Sequence, residues 1–230
     1  MKQIFLDTET TGLEAKLGHR IIEIAAVEMI DRRLTGRRFH HYLNPERLVE
    51  SGALQVHGLT NDFLQDKQKF IEISNELLEF ISDTELIMHN APFDSSFLNN
   101  ELALIKLEPL ENYCHSITDT LKMAKNIHPG KRNNLDALCE RYQINNSKRV
   151  LHGALLDAQL LAEVYLAMTR GQESLAMEIS FPQRDIGINL KDIKLISLKA
   201  NIKELSLHKE QLELIDQESQ DACLWKKIES

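Results

Sequence analysis

Apolar residues follow a strand-like pattern at the start of the chain. Residues 3–5 form a short apolar run, and residues 20–30 alternate and are rich in Ile, Ala and Val, as buried strands are. The stretch 31–36 is typical of a hairpin turn, which would lead to a third strand at 37–43. We therefore predict that the chain begins with an antiparallel meander.

After residue 43 the apolar residues recur at helical spacing, and one short strand lies among the predicted helices. The positions that define the predicted helices are Phe70, Ile73, Leu77 and Ile81; Phe97, Leu98, Leu102 and Ile105, in a helix that begins near Asp94; Leu135, Leu138, Cys139 and Tyr142; and Leu160, Leu161, Val164 and Met168, within about 154–168. Asn133 or Asn134 is the candidate N-cap of the third helix, and residues 86–88 form the strand. The chain thus begins with strands and continues with alternating helices and strands. This order predicts an α/β fold with a mixed sheet.

The pattern changes after Gly171. Residues 178–193 mix Pro, Gly and polar side chains, which is typical of a linker. A strand-like run at 194–198 and a helix containing Leu205, Leu212 and Ile215 follow, in a segment too short to bury much core by itself. We predict a folded domain at 1–171, a linker at 172–193 and a small partner-binding segment at 194–230.

Composition narrows the class of protein. The formal net charge of -8 at pH 7 excludes a broad basic surface for a long nucleic-acid duplex. The three cysteines are far apart, which favours a reducing compartment and neither a disulfide framework nor a zinc site. No stretch resembles a signal peptide or a membrane span, so we expect a cytoplasmic protein.

Asp7 and Glu9 follow the first apolar run and stand two residues apart, so a strand would project them from one face. At about 4 Å and an effective dielectric constant near 20, their repulsion is about 4 kcal/mol. No basic residue lies within residues 3–12 to offset it. A divalent metal ion is the natural counter-charge, and an acidic strand end that reaches solvent is the alternative.

Three further residues join this pair. Asp94 lies where a predicted strand ends and a helix begins, and Asp157 lies in the first turn of the helix at about 154–168. His152 precedes that helix by a short loop. Singly, these residues also fit an N-cap, a partner of the helix dipole and a surface histidine. Together they predict four carboxylates and an imidazole at one point.

Three segments carry a family resemblance. Residues 6–12 (LDTETTG), 89–94 (HNAPFD) and 131–157 (KRNNLDALCERYQINNSKRVLHGALLD) resemble the motifs of the DEDDh branch of the DnaQ-like 3′–5′ exonucleases. Residues 158–160 and the tail 223–225 (CLW) are similar to those of the proofreading subunits of bacterial replicative DNA polymerases. The resemblance implies a ribonuclease-H-like fold, with a mixed five-stranded sheet flanked by helices.

The resemblance also implies the chemistry. Asp7, Glu9, Asp94 and Asp157 would hold two Mg²⁺ or Mn²⁺ ions, with Asp7 between them, and His152 would be the general base. Histidine titrates near neutrality, so it is able to take a proton from an attacking water.

The implied substrate is a single-stranded 3′ DNA end. Its contacts would be Asp7, Glu9, Thr10, His57 and Asp157. Close relatives carry an acidic residue five positions before the histidine at 57, whereas this chain has Gly52, and Glu50 is a candidate substitute. The basic pairs Lys131-Arg132 and Lys148-Arg149 are either phosphate contacts or solvated charged pairs.

The implied partners belong to a replicase. Gln172, Leu175 and Met177 have the spacing of a peptide that binds the beta sliding clamp. Residues 194–230 would dock on the polymerase catalytic (alpha) subunit, with Leu224 and Trp225 as apolar anchors. The sequence leaves open whether a small theta-like accessory subunit also binds.

These features favour a proofreading 3′–5′ DNA exonuclease. A DEDDh exoribonuclease is the first alternative, because discrimination between DNA and RNA rests on contacts to the 2′-hydroxyl and not on the acidic residues. A catalytically idle scaffold that links clamp and polymerase is the second.

Overall fold

The computed structural model describes residues 2–147, 149, 151–170 and 200–218, and the chain divides into compact units at 1–176 and 177–230. The strands of the first unit are β1 (Lys2–Thr10), β2 (Ile21–Ile30), β3 (Arg33–Tyr42), β4 (Glu85–Met88) and β5 (Ser116–Asp119). Its helices are α1 (Ser51–His57), α2 (Asn61–Leu64), α3 (Phe70–Ile81), α4 (Ala91–Leu104), α5 (Thr120–Ile127), α6 (Leu135–Tyr142) and α7 (Ala154–Met168). Short 3-10 helices lie at Ala15–Leu17 and Leu110–Asn112.

The sheet has the strand order β3-β2-β1-β4-β5. The first three strands pair antiparallel, while β4 pairs parallel with both β1 and β5. The predicted meander and the mixed five-stranded sheet with flanking helices are therefore confirmed.

The predicted hairpin turn at 31–36 is wrong in its extent. β3 already begins at Arg33, and the turn consists of Asp31 and Arg32, both with positive φ (48° and 63°). Two-residue turns with positive φ match the twist of paired strands, so they are favoured in hairpins. Gly36, with φ of 83°, lies within β3 opposite a shift in the register of β2.

Other boundaries also differ from the pattern. α4 begins at Ala91, not near Asp94, because Pro92 is accommodated in the first turn of a helix. Asn134, the second of the two candidates, caps α6 by accepting a hydrogen bond from Ala137 N. The pattern missed α1, α2, β5 and α5, which have only four to eight residues each.

β1 lies at the centre of the sheet and contributes to a core on each face. Ile4 and Leu6 pack in the core formed with α3 and α4, and Phe5 packs in the core formed with α6 and α7. Because side chains alternate, Asp7 and Glu9 continue the face of Phe5, toward the start of α7. The fold thus carries the acidic pair to the helix that bears Asp157.

Of the second unit the structure describes one helix, α8 (Ile202–Glu218), which contains Leu205, Leu212 and Ile215 as predicted. The predicted strand at 194–198 lies outside the described residues, and the predicted domain boundaries stay predictions. Within the described parts of the chain, no helix has both the length and the apolar character needed to span a bilayer.

Candidate active site

A cavity of about 600 Å³ lies beside the carboxyl ends of β1 and β4. The residues with a predicted site role that line it are Asp7, Glu9, Thr10, His57, Asp94, His152 and Asp157. They come from β1, the end of α1, the first turns of α4 and α7, and the loop before α7. The fold therefore brings side chains that are far apart in sequence to one cavity wall.

Asp7 and Glu9 lie together on one face of β1. Burial raises the pKa of Asp7 well above its usual range, and the charges of Asp94 and Asp157 raise it further. Burial also raises the pKa of Glu9 to about 8, with Asp157 and then Glu23 as the next causes. Glu23 stands opposite Glu9 in β2. The positive charge nearby is therefore too small to keep these two carboxyl groups ionised over their usual pH range.

Asp94 reaches the cavity from the first turn of α4. It is 3% exposed, and Thr8 Oγ1 donates a hydrogen bond to its Oδ1 atom at 2.7 Å. Burial raises the pKa of Asp94 to about 7, although the Thr8 hydroxyl opposes this shift. β1 thus contacts Asp94 through Thr8, whose side chain lies on the opposite face of the strand from Asp7 and Glu9.

Asp157 lies in the first turn of α7 and is 3% exposed. Arg149 binds both of its oxygens, with Nε 2.6 Å from Oδ1 and Nη2 2.8 Å from Oδ2. The Arg149 side chain is only 6% exposed, so the prediction of a solvated charged pair is wrong for this residue.

His152 lies beside Asp157 and is partly exposed, with its Nδ1 atom 3.6 Å from Asp157 Oδ2. Burial, and then the charge of Arg149, lower the pKa of the imidazole. One ligand atom from each of Glu9, His152 and Asp157 lies within 4.8 Å of the others, so these residues could hold a metal ion. Asp7 and Asp94 complete the acidic surroundings of this group.

His57 ends α1 and is buried. Leu59 N donates to its Nδ1 atom at 3.0 Å, so the neutral ring carries its hydrogen on Nε2. That Nε2 atom is buried and has no hydrogen-bond partner among the described residues. Burial lowers the pKa of His57, and the main chain of Thr10 opposes this shift, so the buried Nε2 atom lies at the cavity wall near the end of β1.

The sequence reasoning missed His89, which follows β4 and also lines the cavity. Thr120 Oγ1 donates to Met88 O and lies 2.9 Å from His89 Nδ1, so Nδ1 is the donor of that pair. The Nε2 atom of His89 is buried, and the main chain of Asn133 opposes the lowering of the ring's pKa by burial. Its position at the end of a parallel strand, in the same segment as Asp94, is the signal that was available.

Gly12 permits the turn that closes β1. A Cβ atom at this position would lie 2.3 Å from Cε1 of the buried His19 ring. The Nε2 atom of His19 lies 3.2 Å from a carboxylate oxygen of Glu50, which lines the cavity with Gly52. A Cβ atom at Gly52 would meet nothing within 4 Å, so the cavity wall has room for a side chain at this position.

The other residues with a predicted site role either do not line the cavity or lie outside the described residues. Lys131 and Arg132 are exposed and do not line the cavity. Lys148, the clamp-binding residues Gln172, Leu175 and Met177, and the polymerase-binding residues Leu224 and Trp225 lie outside the described residues.

Comparisons with known proteins agree with this geometry. A protein-family model described as exonuclease matches residues 4–165. The chain is 48% identical to DNA polymerase III subunit epsilon of Escherichia coli (strain K12), over 98% of this chain and 97% of that protein. The subunit of the same name from Rickettsia prowazekii (strain Madrid E) is 47% identical, over 94% of this chain and 97% of that protein.

Solved structures share the fold at lower identity. Exonuclease X in complex with 5′ overhanging duplex DNA has a TM-score of 0.56 and 24% identity, over 72% of this chain and 90% of that chain. The nuclease domain of 3′hExo, a DEDDh family member bound to rAMP, has a TM-score of 0.63 and 20% identity, over 73% of this chain and 90% of that chain.

Proposed function

We propose a function from the premise that this chain belongs to the exonuclease family, together with the epsilon subunits of bacterial DNA polymerase III. It is the proofreading 3′–5′ exonuclease of a replicative DNA polymerase. The observation that carries this conclusion is the convergence of four carboxylates and an imidazole in one cavity. Nearly full-length identity of 48% to an epsilon subunit favours DNA over RNA as the substrate.

The residues of the site fit divalent metal ions. The raised pKa values of Asp7, Glu9 and Asp94 reflect burial without sufficient positive charge nearby. Carboxylate oxygens are the ligands that Mg²⁺ and Mn²⁺ prefer. We propose that these three residues and Asp157 would hold two such ions. When bound, two divalent ions activate the attacking water and stabilise charge on the leaving 3′ oxygen.

His152 takes the proton of the attacking water on its Nδ1 atom, which faces Asp157. Its lowered pKa keeps the ring neutral, and therefore basic, at neutral pH. The Asp157 carboxylate, 3.6 Å away, stabilises the positive imidazolium that results. Thr10 and His57, which also line the cavity, contact the terminal nucleotide.

The remaining proposals concern assembly. Residues 194–230 bind the polymerase catalytic (alpha) subunit, with Leu224 and Trp225 as anchors. Gln172, Leu175 and Met177 bind the beta clamp, and a small theta-like subunit is a further candidate partner. Tethering raises the effective concentration of the nuclease at the primer end, where a mispaired 3′ terminus frays only briefly. Such an assembly works in the cytoplasm.

A time course with the full chain tests the function. The substrates are DNA with a 3′ mispair and RNA of the same sequence, each with Mg²⁺, with Mn²⁺ and with EDTA. We expect release of single nucleotides from the 3′ end of DNA, dependent on metal and faster than from RNA. Faster release from RNA would favour an exoribonuclease, and no release from either would favour a scaffold.

A further inference from the structure

Arg149 has more ionic partners within the cavity than its sequence neighbourhood suggested. Its guanidinium binds both oxygens of Asp157, and Nη1 lies 2.7 Å from Asp136 Oδ1. Nη2 is also 2.9 Å from His152 Nδ1. One guanidinium therefore contacts two carboxylates and the imidazole at once.

This guanidinium supplies positive charge at the acidic cluster. Its charge lowers the pKa of Asp7 and of Glu9, against the larger effects of burial and neighbouring carboxylates. A planar, bidentate pair with a buried carboxylate is among the strongest charge-assisted contacts that a side chain forms. In the structure as it stands, Arg149 is the counter-charge of Asp157.

The same contacts engage two groups that the proposed mechanism uses. An arginine is always a donor, so the His152 Nδ1 atom that it contacts must be an acceptor, and its lone pair is engaged. That lone pair is the one assigned above to the proton of the attacking water. Both oxygens of Asp157, assigned as a metal ligand, already face Arg149 donors.

A metal ion on Asp157 conflicts with this arrangement. Such an ion lies about 2.1 Å from its carboxylate oxygen. The donors of Arg149 are 2.6 and 2.8 Å from the two oxygens of the same carboxylate. A doubly charged ion and a guanidinium would therefore be close neighbours in a site of low exposure, where like charges repel strongly.

We propose that Arg149 is an internal competitor of the metal ions: it holds Asp157 and His152 when no metal is bound, and leaves both when metal binds. Asp136 makes the exchange feasible. Its side chain is half-exposed and lies at the cavity wall, outside the group that could hold a metal ion. The guanidinium keeps that carboxylate as a partner after it leaves Asp157. The inference rests on the proposed function, because the competing metal is the one that hydrolysis requires.

Mn²⁺ binding to the full chain tests the competition without reference to activity. Free Mn²⁺ is measured by electron paramagnetic resonance during titration of the wild type, Arg149→Gln, Arg149→Lys and Lys125→Gln. Lys125→Gln is the charge-matched control, since it removes an exposed positive charge whose field reaches His89 in the same cavity. Arg149→Lys keeps the positive charge but removes the planar group that donates two hydrogen bonds to Asp157.

Competition predicts that Arg149→Gln binds Mn²⁺ about tenfold more tightly than the wild type, from the loss of a charge-assisted pair. Arg149→Lys should also bind more tightly, by about threefold, whereas Lys125→Gln should stay within twofold of the wild type. In EDTA, Arg149→Gln should melt at a lower temperature than Lys125→Gln, and Mn²⁺ should close the gap.

Each other outcome overturns the proposal. Weaker or unchanged Mn²⁺ binding in both Arg149 variants would make Arg149 an orienting partner that stays on Asp157. If Lys125→Gln also bound Mn²⁺ more tightly to the same extent, the effect would come from the general loss of positive charge and not from the contacts of Arg149. If the wild type binds no Mn²⁺ and hydrolyses no DNA, the proposed function fails as well; if it does both, only the inference is at stake.

Discussion

The main-chain nitrogen of His152 donates a hydrogen bond to the carbonyl oxygen of Val56 at 3.1 Å. The loop before α7 is thereby fixed to α1, which ends in His57. The neighbouring residues of the two segments also lie close together, because a Cβ atom at Gly58 would lie 2.7 Å from Leu151 Cδ1. Two walls of the cavity, one with the proposed base and one with a proposed substrate contact, are therefore held together.

Gly58→Ala should disturb this junction. The new methyl group would displace Leu151 and with it His152, so we expect kcat on single-stranded DNA to fall by about tenfold, or about 1.4 kcal/mol in activation free energy. Gly130→Ala is the matched control, since Gly130 has nearly the same φ (72° against 73°) and nothing within 4 Å of an added Cβ atom. Both variants should lose about 1–2 kcal/mol of stability from left-handed backbone strain. An equal effect on kcat in both would contradict the junction.

Asp7→Ala and Asp157→Ala should each abolish metal-dependent release of nucleotides from a 3′ end, because each removes a proposed metal ligand. Asp62→Ala, at an exposed position in α2, should leave the rate unchanged. The measurement is release of labelled 3′-terminal nucleotide over time. Retained activity in either of the first two variants would remove that residue from the metal site.

His152→Gln should separate the role of base from that of ligand. Loss of a general base lowers kcat by about 10²–10⁴-fold, while the affinity for Mn²⁺ should stay within a few-fold of the wild type. Mn²⁺ titration and single-turnover hydrolysis on the same preparation check both quantities. A large loss of Mn²⁺ affinity would instead assign His152 to the metal, as its distance to Glu9 and Asp157 allows.

The raised pKa values set the pH dependence of stability in EDTA. In the folded chain Asp94 and Glu9 hold protons up to about pH 7 and 8, whereas unfolded carboxyl groups release them near pH 4. Stability from these groups is therefore fully present below about pH 4 and is lost progressively as the pH rises from there through the folded pKa values of about 7 and 8. The melting temperature should fall over this range, less steeply in Glu9→Gln and less steeply with Mn²⁺ present. Parallel curves for wild type and Glu9→Gln would refute this account.

Deleting residues 171–230 should leave hydrolysis of single-stranded DNA intact, because every described residue of the cavity lies before that point. Association with the polymerase catalytic subunit, followed by co-elution from a sizing column, should be lost. A comparable fall in hydrolysis would show that the tail contributes to the site itself.

Alternation and helical spacing were sufficient to predict the meander, α3, α6 and α7, because these elements bury one regular face. The short elements escaped notice for a physical reason. β5 has four residues that are only partly buried or exposed, and α1 contains Gly52 and few buried positions, so neither presents a periodic apolar pattern. Tertiary pairing, which a local pattern does not contain, stabilises them.

The candidate site shows the same limit. Asp7 and Glu9 were evident from strand alternation, whereas Asp94, His152 and Asp157 were placed beside them from predicted helix starts and a loop, and the family resemblance supported that placement. The position of Arg149 was not predictable from its sequence, since a basic pair reads as solvated or phosphate-binding until the fold brings Asp157 to it. His89 was missed because its role depends on Thr120, 31 residues away.

The two-sided packing of β1 has a consequence for how reliably the site assembles. A slip of one residue against β2 would turn Asp7 and Glu9 into the core that holds Ile4 and Leu6, and would turn those apolar side chains toward the cavity. Such a molecule would lose its cores and its carboxylate cluster together. The same packing that stabilises the chain therefore favours the strand alignment that the carboxylate cluster requires.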